Sequence, residues 1–248
     1  MAPISVVIIT YNEERNIRNA LESIKDADEI IIVDAFSTDR TVEISREYTD
    51  KVYRNEWCGY AGQKQFGINL AKNPWVFVLD ADERFTESLW DELSRVSRDD
   101  NIYNGYYVSR KNFFLGRLIR HGGWWPDYTL RFFRKDKGFI EERKVHEKVV
   151  VDGNTGYLKG HLEHYSYRTI SDYLKKMEIY ATLSAEELKA KGVHAGVKDM
   201  FSHSLCTFIK MFFVRFGFMD GACGFILAVL YSYYSFLKYL KLWEALQV

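Results

Sequence analysis

The sequence predicts an α/β fold: a doubly wound, mostly parallel sheet with helices on both faces, followed by a C-terminal helical extension. Three observations predict it. Short, uniformly apolar runs recur through the first hundred residues, as expected of strands buried on both faces. Segments with helical spacing separate them, and strand–helix alternation with short links favours parallel strands joined by right-handed crossovers. Beyond residue 170 the chain turns to long aromatic and aliphatic helices. The expected organisation is 1–100, 101–170 and 171–248.

Taken in order, Ile4 to Thr10 is a β-branched run and the first strand. Tyr11-Asn12-Glu13-Glu14 follows, then Ile17, Leu21 and Ile24 at helical spacing, with Asn12 as the expected N-cap. Ile30-Ile31-Ile32-Val33 is the second strand, ending at Asp34, and Val42, Ile44 and Tyr48 mark a short helix. Lys51 to Arg54 is a brief third strand. A loop containing Gly59 and Gly62 leads to a helix through Phe66, Ile68 and Leu70. Val76-Phe77-Val78-Leu79 is the fourth strand, and it runs straight into Asp80, Asp82 and Glu83.

Composition narrows the function. Lys plus Arg equals Asp plus Glu at 34 each, so no bulk charge points to nucleic acid. Cys58, Cys206 and Cys223 are scattered and have neither disulfide-framework nor zinc spacing, which fits a reducing cytosol. The N-terminus has no basic region followed by a cleavable apolar segment and is not read as a signal peptide. No Gly-x-Gly-x-x-Gly turn or Walker lysine motif supports a dinucleotide or P-loop site.

The strand ends carry the chemistry. In a parallel sheet Thr10-Tyr11-Asn12-Glu13, Asp34 and Asp80-Ala81-Asp82 fall along one edge, where open α/β sheets bind ligands. Thr10 and Tyr11 could hold a planar base, and Asp34 could accept from ring N–H or ribose hydroxyl groups. Asp80 and Asp82 offer oxygen ligands suited to Mg²⁺ or Mn²⁺, ions that often partner a diphosphate. Taken singly, Glu13, Asp34 and Ser37 fit turn and helix-start chemistry better than binding, and Asp80-Ala81-Asp82 is balanced between a metal site and a helix cap; jointly, three acidic strand ends around one crevice are hard to credit to turn chemistry alone.

Ile8-Ile9-Thr10-Tyr11-Asn12-Glu13-Glu14, Val33-Asp34-Ala35-Phe36-Ser37-Thr38-Asp39-Arg40-Thr41 and Leu79-Asp80-Ala81-Asp82-Glu83 together resemble segments of glycosyltransferase family 2. Residues 59–67 and 124–134 resemble the branch that includes lipopolysaccharide core sugar transferases. The resemblance implies a GT-A fold and inverting transfer of a hexose, with glucose expected, from a UDP-sugar. It places Thr10, Tyr11, Glu13 and Asp34 at the nucleoside, Asp80 near ribose and metal, Asp82 at the metal, and Lys64 at the donor. A histidine from the later part of such domains often completes the metal or diphosphate site. His164 is assigned that role here, and His146 a phosphate or acceptor contact. Glu83 is read as a cap for the helix beginning near Glu87.

Transfer also needs a base for the acceptor hydroxyl. Asp127 and Glu147 are the candidates. Asp127 is preferred because Pro126 fixes the chain and Trp124-Trp125 could form an aromatic floor for a sugar. Arg131 could reach phosphates, or pair with Asp127 in a purely structural role. Short strands are expected at Gly105–Val108, Leu130–Phe133 and Lys148–Val151, and a long helix from about Ser171 to Lys191 stopping at Gly192.

Aromatic, basic-flanked helices over 201–248 suit a surface-lying membrane anchor, and could instead cap the core or join copies of the chain in a homo-oligomer. The expectation is therefore a cytoplasmic enzyme, peripheral on the inner face of the cytoplasmic membrane, acting on a lipopolysaccharide core or similar glycolipid. Transfer to a peptide or polyprenyl phosphate, or silent binding of a nucleotide sugar, is the alternative.

Overall fold

The computed structural model describes residues 2–98, 103–141 and 148–247. Glu147 and His146 lie outside the described residues. Internal contacts divide the chain into two units, residues 1–110 with 128–164, and residues 111–127 with 165–248.

In the first unit, β1 (Ile4–Thr10), β2 (Glu29–Asp34), β3 (Val52–Arg54) and β4 (Trp75–Asp80) are parallel neighbours in the order β3-β2-β1-β4. The sheet continues through β8 (Asp127–Arg134), β6 (Tyr103–Phe114), β11 (Asn154–Tyr167) and β5 (Glu83–Phe85). β8 runs antiparallel to β4, and β11 antiparallel to β5, so the sheet is mixed. A separate ribbon pairs β9 (Gly138–Glu141) with β10 (Lys148–Val151).

Strand alternation sorts the apolar runs onto two faces. Ile4, Val6, Ile8, Ile30, Ile32, Phe77 and Leu79 pack with Ile17 and Leu21 of α1 (Ile17–Ser23), Ile44 of α2 (Thr41–Arg46) and Leu89 and Leu93 of α4 (Glu87–Val96). Val7, Ile31, Val33, Val76 and Val78 face Ala61 and Ile68 of α3 (Gly59–Leu70) on the other side. Helices thus cover both faces, as the uniform apolarity of these runs requires.

The second unit is built on α5 (Ile170–Ala190), α6 (Val197–Ile209) and α7 (Gly221–Gln247). A π-helical turn over Lys210–Val214 and a 3-10 turn over Gly217–Asp220 link α6 to α7. Phe114, Ile119, Trp124, Tyr173, Met177, Met211, Leu227 and Ala228 form its core. Reciprocal bonds of 2.8–2.9 Å between Ser204 and Ser232 tie α6 to α7. β7 (Arg117–Leu118) pairs with the end of β6 around a turn in which Leu115 and Gly116 both have positive φ.

Several expectations need correction. Asn12 does not cap α1, which begins five residues later behind Asn16. Gly59 and Gly62 lie inside α3 rather than in a loop. β6 continues six residues past Val108, and the long strand β11 was not expected. Gly160 lets β11 pass close to α4: a Cβ there would lie 2.5 Å from the Leu89 Cα and 2.9 Å from its nitrogen. Backbone cannot yield as a side-chain tip can. Gly160→Ala is therefore expected to destabilise the protein by about 1–3 kcal/mol, and thermal denaturation checks it.

Candidate active site

The nucleoside candidates sit on two stitched turns. Parallel register sets Thr10 opposite Asp34 at the carboxyl ends of β1 and β2. The fully buried Asp34 carboxylate accepts from Thr10 Oγ1 at 3.0 Å, Ser37 N at 2.9 Å and Ser37 Oγ at 2.5 Å. Asn12, at φ 55°, accepts at Oδ1 from Thr38 N at 2.8 Å, while its own N donates to Ser37 Oγ at 2.8 Å. The left-handed region is one Asn tolerates better than most residues, which explains Asn at this corner. Glu13 N donates to Thr41 Oγ1 at 2.7 Å, and Glu13 Oε2 accepts from Asn16 Nδ2 at 2.7 Å. The Tyr11 and Phe36 rings are left exposed. A rigid polar edge beside exposed rings can hold a planar, hydrogen-bonding base.

At the mouth of β4, Asp80 is held by two cations: Lys64 Nζ lies 2.9 Å from Oδ1, and Arg131 Nη2 lies 2.5 Å from Oδ2. Burial pushes the Asp80 carboxyl up, but Arg131 and then Lys64 outweigh it and hold the group well below the ordinary carboxylate range. Glu83 does not cap α4. It opens β5 with its side chain fully buried, and Thr86 is the N-cap, accepting from Leu89 N. Glu83 Oε1 accepts from Arg131 Nη2 at 2.8 Å and Arg110 Nη1 at 3.3 Å, while Oε2 accepts from Asp80 N at 3.0 Å. A buried carboxylate of this kind must be paired, and these donors pair it. Arg131 therefore bridges Asp80 and Glu83.

Pairing of β11 with β5 sets His164 opposite Glu83. His164 Nε2 then lies 3.5 Å from Asp82 Oδ2. Two cis ligands of an octahedral Mg²⁺ stand about 3 Å apart, given metal–oxygen distances near 2.1 Å. Asp82 and His164 accordingly fit as two ligands of one divalent cation, whereas Asp80 is taken up by Lys64 and Arg131. No group of three or more His, Cys, Asp or Glu side chains among the described residues is disposed to hold a metal. Remaining ligands would come from phosphate oxygens and water, the usual pattern for Mg²⁺ at substrate diphosphates.

In the second unit, Asp127 Oδ2 accepts from Asn112 Nδ2 at 3.1 Å. Trp124 is buried in the core and cannot serve as a sugar floor, whereas Trp125 is exposed. Asp220 accepts from the backbone N of Arg120 at 3.2 Å and of His121 at 2.8 Å, and its Oδ1 lies 3.1 Å from His121 Nδ1. Gly122 N donates to Arg215 O at 2.9 Å. The loop preceding Asp127 is thus anchored to the turns between α6 and α7.

Arg110, Asn112 and Asp220 were missed from the sequence. The every-second-residue row Tyr106-Val108-Arg110-Asn112-Phe114 was the available signal for the first two. Asp220 has none, since its partners are about a hundred positions away.

Residues 5–166 match the profile described as Glycosyl transferase family 2. The lipopolysaccharide core biosynthesis glycosyltransferase LpsC of Rhizobium meliloti (strain 1021) is 31% identical over 258 residues, spanning 98% of this chain and 92% of that protein. An uncharacterized glycosyltransferase of Rickettsia typhi is 30% identical over 98% of this chain and 88% of its own. Among solved structures, S. aureus TarS 1-349 in complex with UDP-GlcNAc superposes with a TM-score of 0.52 at 16% identity, covering 99% of this chain and 91% of that one. The chain belongs to glycosyltransferase family 2. It is a glycosyltransferase with the GT-A fold.

Asp80→Asn is expected to cost about 3 kcal/mol at pH 7, because Lys64 and Arg131 lose a shared counter-charge. Folding depresses the Asp80 pKa, so its contribution is present above the unfolded value of about 3.9 and is lost as pH falls through the folded value. Urea denaturation of both proteins at neutral and strongly acid pH checks this: the gap should narrow in acid.

Proposed function

We propose that this protein is a metal-dependent, inverting hexosyltransferase that moves glucose from a UDP-sugar to a lipopolysaccharide core or similar glycolipid. The observation that carries the reading is the alignment of Thr10–Asp34, Lys64–Asp80 and Asp82–His164 at the carboxyl ends of one sheet. The near full-length similarity to LpsC supports the acceptor class, and the UDP-GlcNAc held by TarS supports a UDP-linked donor.

Thr10, Tyr11, Glu13 and Asp34 bind the nucleoside. Lys64 and Arg131, already neutralising Asp80, fix the carboxylate near the ribose and set the potential that the diphosphate meets. Asp82 and His164 would hold Mg²⁺ or Mn²⁺, which when bound neutralises charge on the leaving diphosphate. Asp127 takes the proton as the acceptor O–H bond breaks and that oxygen attacks the anomeric carbon. The bond from that carbon to the diphosphate oxygen breaks with inversion, and UDP departs with the electron pair. Glu147 is the second candidate for the base.

The C-terminal helices attach the protein to the cytoplasmic face of the membrane that carries the acceptor. Val197, Phe201, Leu205, Ile209 and Phe213 are exposed at every fourth position, an apolar stripe suited to lying in a lipid interface. The segment Gly217–Gln247 is the one helix among the described residues long and apolar enough to cross a membrane by length and composition.

Asp127→Asn should lower kcat by roughly 10²–10⁴-fold in a UDP-glucose transfer assay with Mn²⁺. An unchanged rate there, with Glu147→Gln inactive, would transfer the role to Glu147. Leu205→Glu with Phe213→Glu should abolish sedimentation with anionic vesicles while the protein stays folded; undiminished sedimentation would contradict the attachment.

A further inference from the structure

We propose that Asn112 is a positioning residue that fixes the Asp127 carboxylate for proton transfer; this rests on the reading of Asp127 as the base. Asn112 sits near the end of β6 and is almost fully buried, at 6% exposure. Its Nδ2 donates to two acceptors, Trp124 O at 3.0 Å and Asp127 Oδ2 at 3.1 Å. Both partners lack a proton to give, one being a carbonyl and the other a carboxylate. Only the NH₂ end of the amide can face them, so chemistry fixes its orientation.

The two bonds clasp both ends of the segment Trp124–Asp127, in which Pro126 has no N–H to contribute. Asn112 is itself held. Its backbone O accepts from Ile119 N at 3.0 Å, and the next two residues pair with Leu118 and Arg117 across the β6–β7 turn. The amide is therefore carried on a hydrogen-bonded hairpin and not on a free loop.

The chemistry suits a base. The amide bond restricts rotation of the carboxylate, a group with about four lone-pair sites in all. The Asn112 amide is itself neutral, so it orients the carboxylate without adding a full positive charge of its own. Proton transfer from a hydroxyl depends on placement within a fraction of an ångström, and misplacement by about 1 Å can cost on the order of 10²-fold.

The test is a double-mutant cycle of Asn112→Ala and Asp127→Asn, read by steady-state kinetics with UDP-glucose and a glycolipid acceptor. Asn112→Ala should lower kcat on the order of 10- to 10²-fold with the donor KM unchanged. Added to Asp127→Asn, it should lower the residual rate no further, since its effect runs through that carboxylate. A wild-type kcat for Asn112→Ala, a raised donor KM, or a loss that multiplies in the Asp127→Asn background would overturn the proposal. A wild-type rate for Asp127→Asn alone would instead remove the base reading on which it rests. Should Asn112→Ala fail to fold, Asn112→Ser, which keeps one hydroxyl donor but cannot span both acceptors, is read in the same cycle.

Discussion

The site depends on pairing the carboxylates that the sheet buries. Asp80, Asp82 and Glu83 lie within four positions at the mouth of β4, and a buried carboxylate is tolerated only where it is paired and hydrogen-bonded. Arg131 bridges Asp80 and Glu83, while Lys64 reaches Asp80 and Arg110 reaches Glu83. Each cation comes from a different element: α3, β6 and β8. The strands that deliver Arg131 and Arg110, β8 and β6, follow β4 in the order of the sheet.

That arrangement divides labour among three acidic residues that look alike in sequence. Glu83 is buried and structural in its partners, and Asp80 is pinned by two cations with about a quarter of its side chain open to solvent. Asp82 faces His164, the pair with the donor chemistry for a divalent ion. The strand pairing that puts Glu83 opposite His164 also brings the histidine to within 3.5 Å of Asp82, so one register sets the surroundings of both carboxylates.

Much of this was legible in the sequence. The four parallel strands read clearly because burial on both faces leaves uninterrupted apolar runs, and the strand-end polar groups follow once those runs are parallel. Glu83 was misread as a cap because nothing local distinguishes it from Asp82; its burial is set by Arg131, 48 positions away. Strand β11 was missed because Gly156 and Gly160 occupy buried positions alternating with Leu158 and Leu162, which erases half of the apolar signal. Trp124 and Trp125 could both belong to the core or to an acceptor platform on sequence grounds, and only the packing of Phe114 and Tyr231 against Trp124 decides that Trp124 is inside.

Asp82 and His164, next to the pinned Asp80, are proposed to form a metal-assisted diphosphate site. Calorimetric titration of UDP into wild type and Asp82→Asn, each with and without Mn²⁺, tests it most directly. Mn²⁺ should tighten UDP binding to wild type, and Asp82→Asn should lose this dependence while keeping the weaker metal-free binding through Thr10 and Asp34. Equal UDP affinity with and without Mn²⁺ in the wild type, or an undiminished Mn²⁺ effect in Asp82→Asn, would contradict it.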